Sequence, residues 1–126
     1  MSKCVLIVDD EEDVRAIAQM GLEMSVDWNV LIASSGQEAL VIAANNQPDV
    51  ILLDMMMPDM DGRATLQKLK ANPLTRHIPV ILVTAKVQPL DQKSFAELDI
   101  AAIFIKPFRP LKLAEQISAV LVNSTN

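Results

Sequence analysis

The chain has 126 residues, of which 51% are hydrophobic and 21% are charged, a composition typical of a single globular domain. Its net charge of −5, with one Trp and no Tyr, argues against nucleic acid as the main partner. The single cysteine, Cys4, excludes an intramolecular disulfide. No secretory signal is evident, and no segment approaches the roughly 18 apolar residues of a membrane span. These features predict a cytoplasmic protein without a membrane partner.

Short apolar runs alternate with helical patterns along the whole chain. Ser35 and Glu38 match a capping box at the start of the second helical pattern, and Asn72-Pro73 ends the third. Pro110 is tolerated in the first turn of the last helix. The predicted strands are residues 4–8, 28–33, 50–54, 78–84 and 102–105, and the predicted helices are approximately residues 12–24, 36–45, 62–71, 89–98 and 110–122.

This order of a strand followed by a helix, repeated five times with short connections, indicates an α/β fold. Right-handed crossovers then make a doubly wound parallel sheet with helices on both faces. We expect a single domain over residues 1–126, with no additional output domain.

Polar side chains stand at the end of four of the predicted strands. They are Asp9, Asp10, Asp54, Thr84 and Lys106. Because parallel strands present their carboxyl ends at one edge, these side chains are expected to converge there. Two carboxylates ~4 Å apart repel by about 1 kcal/mol in water and about 4 kcal/mol at an effective dielectric of 20, so three together require a cation. Oxygen ligands favour Mg²⁺, whereas His77 and Cys4 offer nothing for a zinc site.

Such a set of side chains suits phosphoryl transfer, which depends on positioning and charge neutralisation. Asp54 is the best nucleophile and would form an acyl phosphate. Lys106 and the hydroxyl of Thr84 would contact the remaining phosphoryl oxygens.

The chain as a whole resembles the receiver domain of two-component response regulators. The matching motifs are Asp9-Asp10, the segment D-M-M-M-P-D-M-D-G from Asp54 to Gly62, Thr84-Ala85, and Lys106-Pro107-Phe108. The resemblance implies a flavodoxin-like sheet with strand order 2-1-3-4-5. It also implies a signalling domain of the stand-alone chemotaxis-regulator type and not an enzyme, with at most self-phosphorylation and slow autodephosphorylation.

The resemblance further implies that Asp54 accepts a phosphoryl group from a histidine kinase or a histidine phosphotransfer protein. Mg²⁺ would be held by Asp10, Asp54 and the backbone carbonyl of Met56, with Asp9 acting through water. Lys106 would pair with the phosphoaspartate. A downstream effector protein would then recognise the changed surface.

Activation in the family couples movement of the residue at Thr84 to an aromatic residue three positions before the lysine, and here that position is Ile103. A branched aliphatic side chain changes little in exposure when it moves, so we expect a weaker or differently built signal. Phe104 should face the opposite side of the strand. Asp99 stands where the family often has Gly, and Asp tolerates a left-handed backbone.

Two alternative functions remain open. Ile103 leaves room for a receiver-like interaction module that works without phosphorylation. A hydrolytic phosphatase with an aspartyl intermediate is less favoured, because Met56 stands where a general acid would be needed. Glu11, Glu12 and Asp13 are expected to be a solvated helix start, and Asp59 and Asp61 turn residues.

We predict a long-lived phosphorylated state, because Met56 and Lys86 occupy the positions that tune hydrolysis in the family and neither orients an attacking water well. Decay of the acyl phosphate, followed by intact mass in the purified protein, should be slower in the wild type than in a Met56→Asn/Lys86→Glu variant. Equal decay rates would contradict this.

Overall fold

A computed structural model describes residues 3–58, 60–85, 98–107 and 109–124 and contains one sheet of five parallel strands. The order across the sheet is β2-β1-β3-β4-β5, which confirms the predicted α/β architecture and strand order. The strands are β1 (Cys4–Val8), β2 (Asn29–Ala33), β3 (Val50–Asp54), β4 (Val80–Thr84) and β5 (Ala102–Ile105).

Four α-helices lie within the described part of the chain. They are α1 (Glu12–Ser25), α2 (Gly36–Asn46), α3 (Gly62–Ala71) and α4 (Leu113–Ser124). Residues 89–97 of the helix predicted over residues 89–98 lie outside the described residues. Only Leu98 of that predicted helix is described. The predicted last helix differs at its start, where Pro110–Lys112 forms a 3₁₀ turn before α4 begins, a common arrangement at helix N-termini.

The N-terminus of α2 is capped by Ser35, as its sequence predicts. The Ser35 hydroxyl accepts a hydrogen bond from the backbone N–H of Glu38 at 3.1 Å. The reciprocal half of the capping box is absent, since the carboxylate of Glu38 accepts a hydrogen bond from the hydroxyl of Ser34 at 3.1 Å. One of the four unpaired N–H groups of this helix end is thus satisfied by its own cap.

The central strands β3 and β4 are buried along their whole length, because helices cover both faces of the sheet. Side chains alternate between two cores, one beneath α2 and α3 and one beneath α1 and α4. Leu53 and Leu82 point into the first core, and Leu52 and Ile81 into the second. Each fully buried aliphatic side chain contributes roughly 1.5–3 kcal/mol through removal from water.

Register brings the ends of these strands level with one another. Asp54 is paired with Val83, and Thr84 with Ile105, so the residues that follow β3, β4 and β5 emerge side by side. The backbone N–H of Asp9 continues the pairing of β1 by donating to the carbonyl of Ala33 at 3.1 Å. None of the helices that the structure describes has the length and apolarity needed to cross a membrane.

Candidate functional site

Three carboxylates meet at the carboxyl edge of the sheet. One oxygen each from Asp9, Asp10 and Asp54 lies within 4.8 Å of the others. Asp9 and Asp54 are only 2% and 3% exposed, while Asp10 lies on the solvent side. A cluster of this kind, with two acids taken out of water, has a high density of negative charge.

Asp9 is held through both its backbone and its side chain. Its Oδ1 accepts a hydrogen bond from the backbone N–H of Glu11 at 2.9 Å. Its Oδ2 lies 3.0 Å from the ammonium Nζ of Lys106. The loop between β1 and α1 therefore folds around this carboxylate, and the five consecutive acids of the sequence do not all project into solvent.

Lys106, which directly follows β5, lies between the two buried acids. Its Nζ lies 3.0 Å from Asp9 Oδ2 and 3.4 Å from Asp54 Oδ1, and its backbone N–H donates to the carbonyl of Thr84 at 2.8 Å. Burial by itself would lower the pKa of Lys106. The hydrogen bond to Asp9 and the charges of Asp54 and Asp9 outweigh that effect and raise its pKa above the ordinary value. Lys106 therefore remains a fixed cation.

Asp54 ends β3, and the negative charge of its carboxylate is only partly compensated by its neighbours. The backbone N–H of Met56 donates to its Oδ1 at 3.3 Å. Burial and the charge of Asp9 raise the pKa of Asp54 to about 6, against the lowering effects of the Met56 hydrogen bond and of Lys106. The site thus carries more negative charge than Lys106 compensates.

The structure places the other predicted residues as follows. Thr84 is buried at the end of β4, and the side chain of Met56 is 75% exposed. Ile103 is half-buried against the core beneath α2 and α3, and Phe104 packs against the opposite core, as expected for neighbours on a strand. Lys86 lies outside the described residues, as does Asp59.

Two sequence expectations differ from the structure in their local detail. Asp61, expected as a turn residue, is the N-cap of α3, with its carboxylate accepting from the backbone N–H of Ala64 at 2.9 Å. Asp99 does not have a positive φ, so replacing the family's Gly there brings no left-handed strain.

Sequence reasoning missed two residues that shape the site. Arg15 of α1 donates from a guanidinium nitrogen to the backbone carbonyl of Asp9 at 2.7 Å. Gly62 packs against the strand end, so that a Cβ on it would lie 2.6 Å from the carbonyl oxygen of Asp54. Two features of the sequence could have pointed to these residues. Arg15 is a cation near the start of an acid-rich helix, and Gly62 stands in a helix although helix propensity disfavours glycine.

The donor set fits a hard divalent cation. All three converging groups are carboxylates, and carboxylate oxygens are the ligands that Mg²⁺ prefers. The raised pKa of Asp54, caused in part by Asp9, indicates negative charge that a cation would offset. Asp9, Asp10 and Asp54 are therefore the side chains that would hold a metal ion here.

Comparison with known proteins shows the family. Residues 5–118 match the model of the response regulator receiver domain, and the chain belongs to this family. It is 36% identical over 124 residues to the alkaline phosphatase synthesis transcriptional regulatory protein PhoP of Bacillus subtilis, covering 98% of this chain and 50% of PhoP. It is also 36% identical to the phosphate regulon transcriptional regulatory protein PhoB of Pseudomonas aeruginosa, covering 96% of this chain and 52% of PhoB. The chain thus spans about half the length of these relatives.

Solved structures agree. The chemotaxis protein CheY4 of Vibrio cholerae superposes with a TM-score of 0.87 at 26% sequence identity, covering 95% of this chain and 99% of CheY4. A putative response regulator of Chloroflexus aurantiacus superposes with a TM-score of 0.86 at 28% identity, covering 97% and 99% of the two chains. The fold and the family are therefore those of a signalling receiver domain.

Replacing Asp54 by Asn should stabilise the metal-free protein at neutral pH. The folded state holds the proton of Asp54 more tightly than the unfolded chain, because its pKa is raised from 3.8 to about 6. Wild-type stability therefore falls as the pH rises from about 4 to about 6 and stays lower above that range. At pH 7.5 with EDTA, the variant should gain about 1–3 kcal/mol in urea unfolding, at about 1.4 kcal/mol per pKa unit.

The gain should shrink as the pH falls to 4, where Asp54 is protonated in the folded state, and should approach zero only below the unfolded pKa of 3.8, where it is protonated in both states. Asp27→Asn, which removes an exposed carboxylate away from the site, should change stability little at either pH. A destabilised Asp54→Asn protein at pH 7.5, or a gain that does not depend on pH, would contradict the electrostatic explanation.

Replacing Gly62 by Ala should destabilise the protein, although Ala is the better helix former by roughly 1 kcal/mol. The added Cβ would lie 2.6 Å from the Asp54 carbonyl oxygen and 2.8 Å from the Cα of Met55, and both contacts are with backbone. We expect a loss of about 1–3 kcal/mol in urea unfolding. Gln67→Ala, an exposed position on the same helix, serves as the control and should change stability little. A Gly62→Ala protein as stable as the wild type would show that the loop yields freely.

Proposed function

We propose that this receiver domain is a phosphoacceptor switch in two-component phosphorelay signalling, with Asp54 as the acceptor. The observation that supports this most is the position of Asp54, whose carboxylate is buried at a strand end within reach of both Lys106 and the acids of the first loop. A buried carboxylate with a raised pKa and a fixed cation is a frequent sign of a functional site.

The proposed step is an in-line displacement at phosphorus. Oδ1 of Asp54 is engaged by the Met56 N–H and lies 3.4 Å from Lys106, which leaves Oδ2 as the attacking oxygen. A new O–P bond forms while the N–P bond of a phosphohistidine donor breaks. The bonding electrons pass to the imidazole nitrogen, and the product is an aspartyl acyl phosphate. No general base is required, because the attacking carboxylate is ionised at neutral pH.

Charge compensation comes from two sources in this proposal. Mg²⁺, when bound by Asp9, Asp10, Asp54 and the backbone carbonyl of Met56, supplies positive charge that favours the ionised form of Asp54 and offsets the phosphoryl oxygens. Lys106 is the protein's own contribution. Its ammonium lies between the two buried acids and would exchange part of its contact with Asp9 for a phosphoryl oxygen.

The output is proposed to pass through β4 and β5. Thr84 is the residue whose hydroxyl would contact the phosphoryl group, and its carbonyl is hydrogen-bonded to the N–H of Lys106 at 2.8 Å. Ile103, on β5, is paired with Leu82 of β4 and is half-buried. A shift at Thr84 would therefore reach a downstream effector protein through a small aliphatic side chain and not through an aromatic ring. Met56, with its exposed side chain, and Lys86 are proposed to tune loss of the phosphoryl group.

The donor is proposed to be a histidine kinase or a histidine phosphotransfer protein. Lys106 and Pro107 form one wall of an apolar groove whose other wall is Val14 and Ile17 of α1. Because Lys106 belongs both to this groove and to the acidic site, a protein seated in the groove would have its phosphohistidine close to Asp54.

The proposal predicts phosphorylation that depends on both Asp54 and Mg²⁺. The protein is incubated with acetyl phosphate in MgCl₂ or in EDTA, and the phosphorylated fraction is measured by intact mass. The wild type should gain one phosphoryl group in MgCl₂ only, and Asp54→Asn should gain none. Asp61→Asn is the matched control, since it makes the same chemical change nearby and Asn still caps α3. It should react as the wild type does.

Modification of Asp54→Asn to the same extent as the wild type would place the acceptor elsewhere. Absence of any modification, together with no effect of beryllium fluoride on the amide spectrum, would favour the interaction module that works without phosphorylation.

A further inference from the structure

The hydrogen bond from Arg15 to Asp9 has no role in the phosphoryl chemistry proposed above. It joins a guanidinium N–H of α1 to the backbone carbonyl of Asp9 at 2.7 Å, and Arg15 is half-buried. The backbone N–H of Arg15 also donates to the carbonyl of Glu11 at 3.2 Å. Both ends of the short loop between β1 and α1 are thus bonded to this one residue.

A cation at this position is unfavourable from local considerations alone. Arg15 is the fourth residue of α1, and the N-terminus of a helix carries partial positive charge that disfavours a basic side chain. A residue that breaks a local rule in this way is often retained for a functional reason. The contact with the Asp9 carbonyl is the interaction that the structure offers in compensation.

The consequence of this contact falls on Asp10. The carbonyl of Asp9 and the N–H of Asp10 belong to one planar peptide group. A hydrogen bond that holds the carbonyl therefore also holds the backbone nitrogen and Cα of Asp10. Within the described ranges, the exposed carboxylate of Asp10 has no hydrogen bond or ion pair with another residue. Asp9, by contrast, is held by Glu11 at 2.9 Å and by Lys106 at 3.0 Å. Asp10 therefore relies on its backbone to stay within 4.8 Å of the other acids.

We propose that Arg15 is a positioning residue for cation binding, which holds the Asp9–Asp10 peptide so that the Asp10 carboxylate faces Asp54. This inference rests on the proposed Mg²⁺ site. Arg15 contacts neither the cation nor the phosphoryl group in this role. It acts through the peptide, as residues that orient metal ligands commonly do.

The sign of the effect separates positioning from simple electrostatics. If Arg15 acted only as a positive charge near the acids, its removal would make Mg²⁺ bind more tightly. If it positions Asp10, its removal makes Mg²⁺ bind more weakly. If it serves only the stability of α1, the melting temperature changes and the Mg²⁺ affinity does not.

The test is a MgCl₂ titration of the unphosphorylated protein. Binding is monitored through the NMR amide resonances of the loop between β1 and α1. Arg15→Met keeps an unbranched stem and removes the donor, and its Kd for Mg²⁺ should rise about tenfold, the lower end for residues that orient metal ligands. Arg15→Lys retains a donor and should stay within about threefold of the wild type. Arg76→Met removes an exposed arginine away from the site and controls for the change in net charge.

Tighter or unchanged Mg²⁺ binding by Arg15→Met would overturn the inference. So would equal weakening in Arg15→Lys and Arg15→Met. If Arg15→Met does not fold, Arg15→Gln replaces it, because its amide ends two bonds short of the guanidinium nitrogen, and the same weakening is expected. A wild type that binds no Mg²⁺ would overturn the proposed metal site and this inference together, whereas normal wild-type binding with an unaffected variant would overturn the role of Arg15 alone.

Discussion

The ion pair that Lys106 makes with two buried acids is the interaction on which the site depends. Its ammonium lies 3.0 Å from Asp9 and 3.4 Å from Asp54, residues that end two different strands. A buried carboxylate without a partner is costly, and Lys106 reduces that cost for both at once. Because Lys106 is itself bonded through its backbone to Thr84, the cation, the acids and the hydroxyl are held by one continuous set of strand ends.

This compensation is incomplete, and the incompleteness is what makes the site chemically useful. Three carboxylates face one ammonium at close range, and the pKa of Asp54 is about 6 in spite of Lys106. A fully neutralised cluster would have little affinity for a cation. The protein instead keeps negative charge at a rigid sheet edge, where the register of β3, β4 and β5 leaves little freedom to relax. Stability is given up locally, which is consistent with the proposed cation site.

The parts of the site that are local in sequence were predictable. Asp54 directly follows four apolar residues of a buried strand, and the Ser35 cap is set by a contact within three residues. The convergence of the acids and Lys106 was also predictable, because parallel strands end at one edge of the sheet. Contacts that involve the backbone of distant residues were not. The Cβ position of Gly62 is blocked by the backbone of the strand end, a close approach that the sequence does not reveal. Arg15 was overlooked because its partner is a backbone carbonyl, which leaves no mark on the pattern of side chains.

The sequence by itself determined the alternation of strands and helices, the two-sided burial of the central strands and the identity of the acids at their ends. These follow from hydrophobic periodicity and from the cost of placing charge inside a strand. Only the tertiary structure decided which oxygen of each acid meets Lys106 and how far Asp10 stands from Asp54. Those details depend on register and on contacts between residues as far apart as Asp9 and Lys106, which no local pattern encodes.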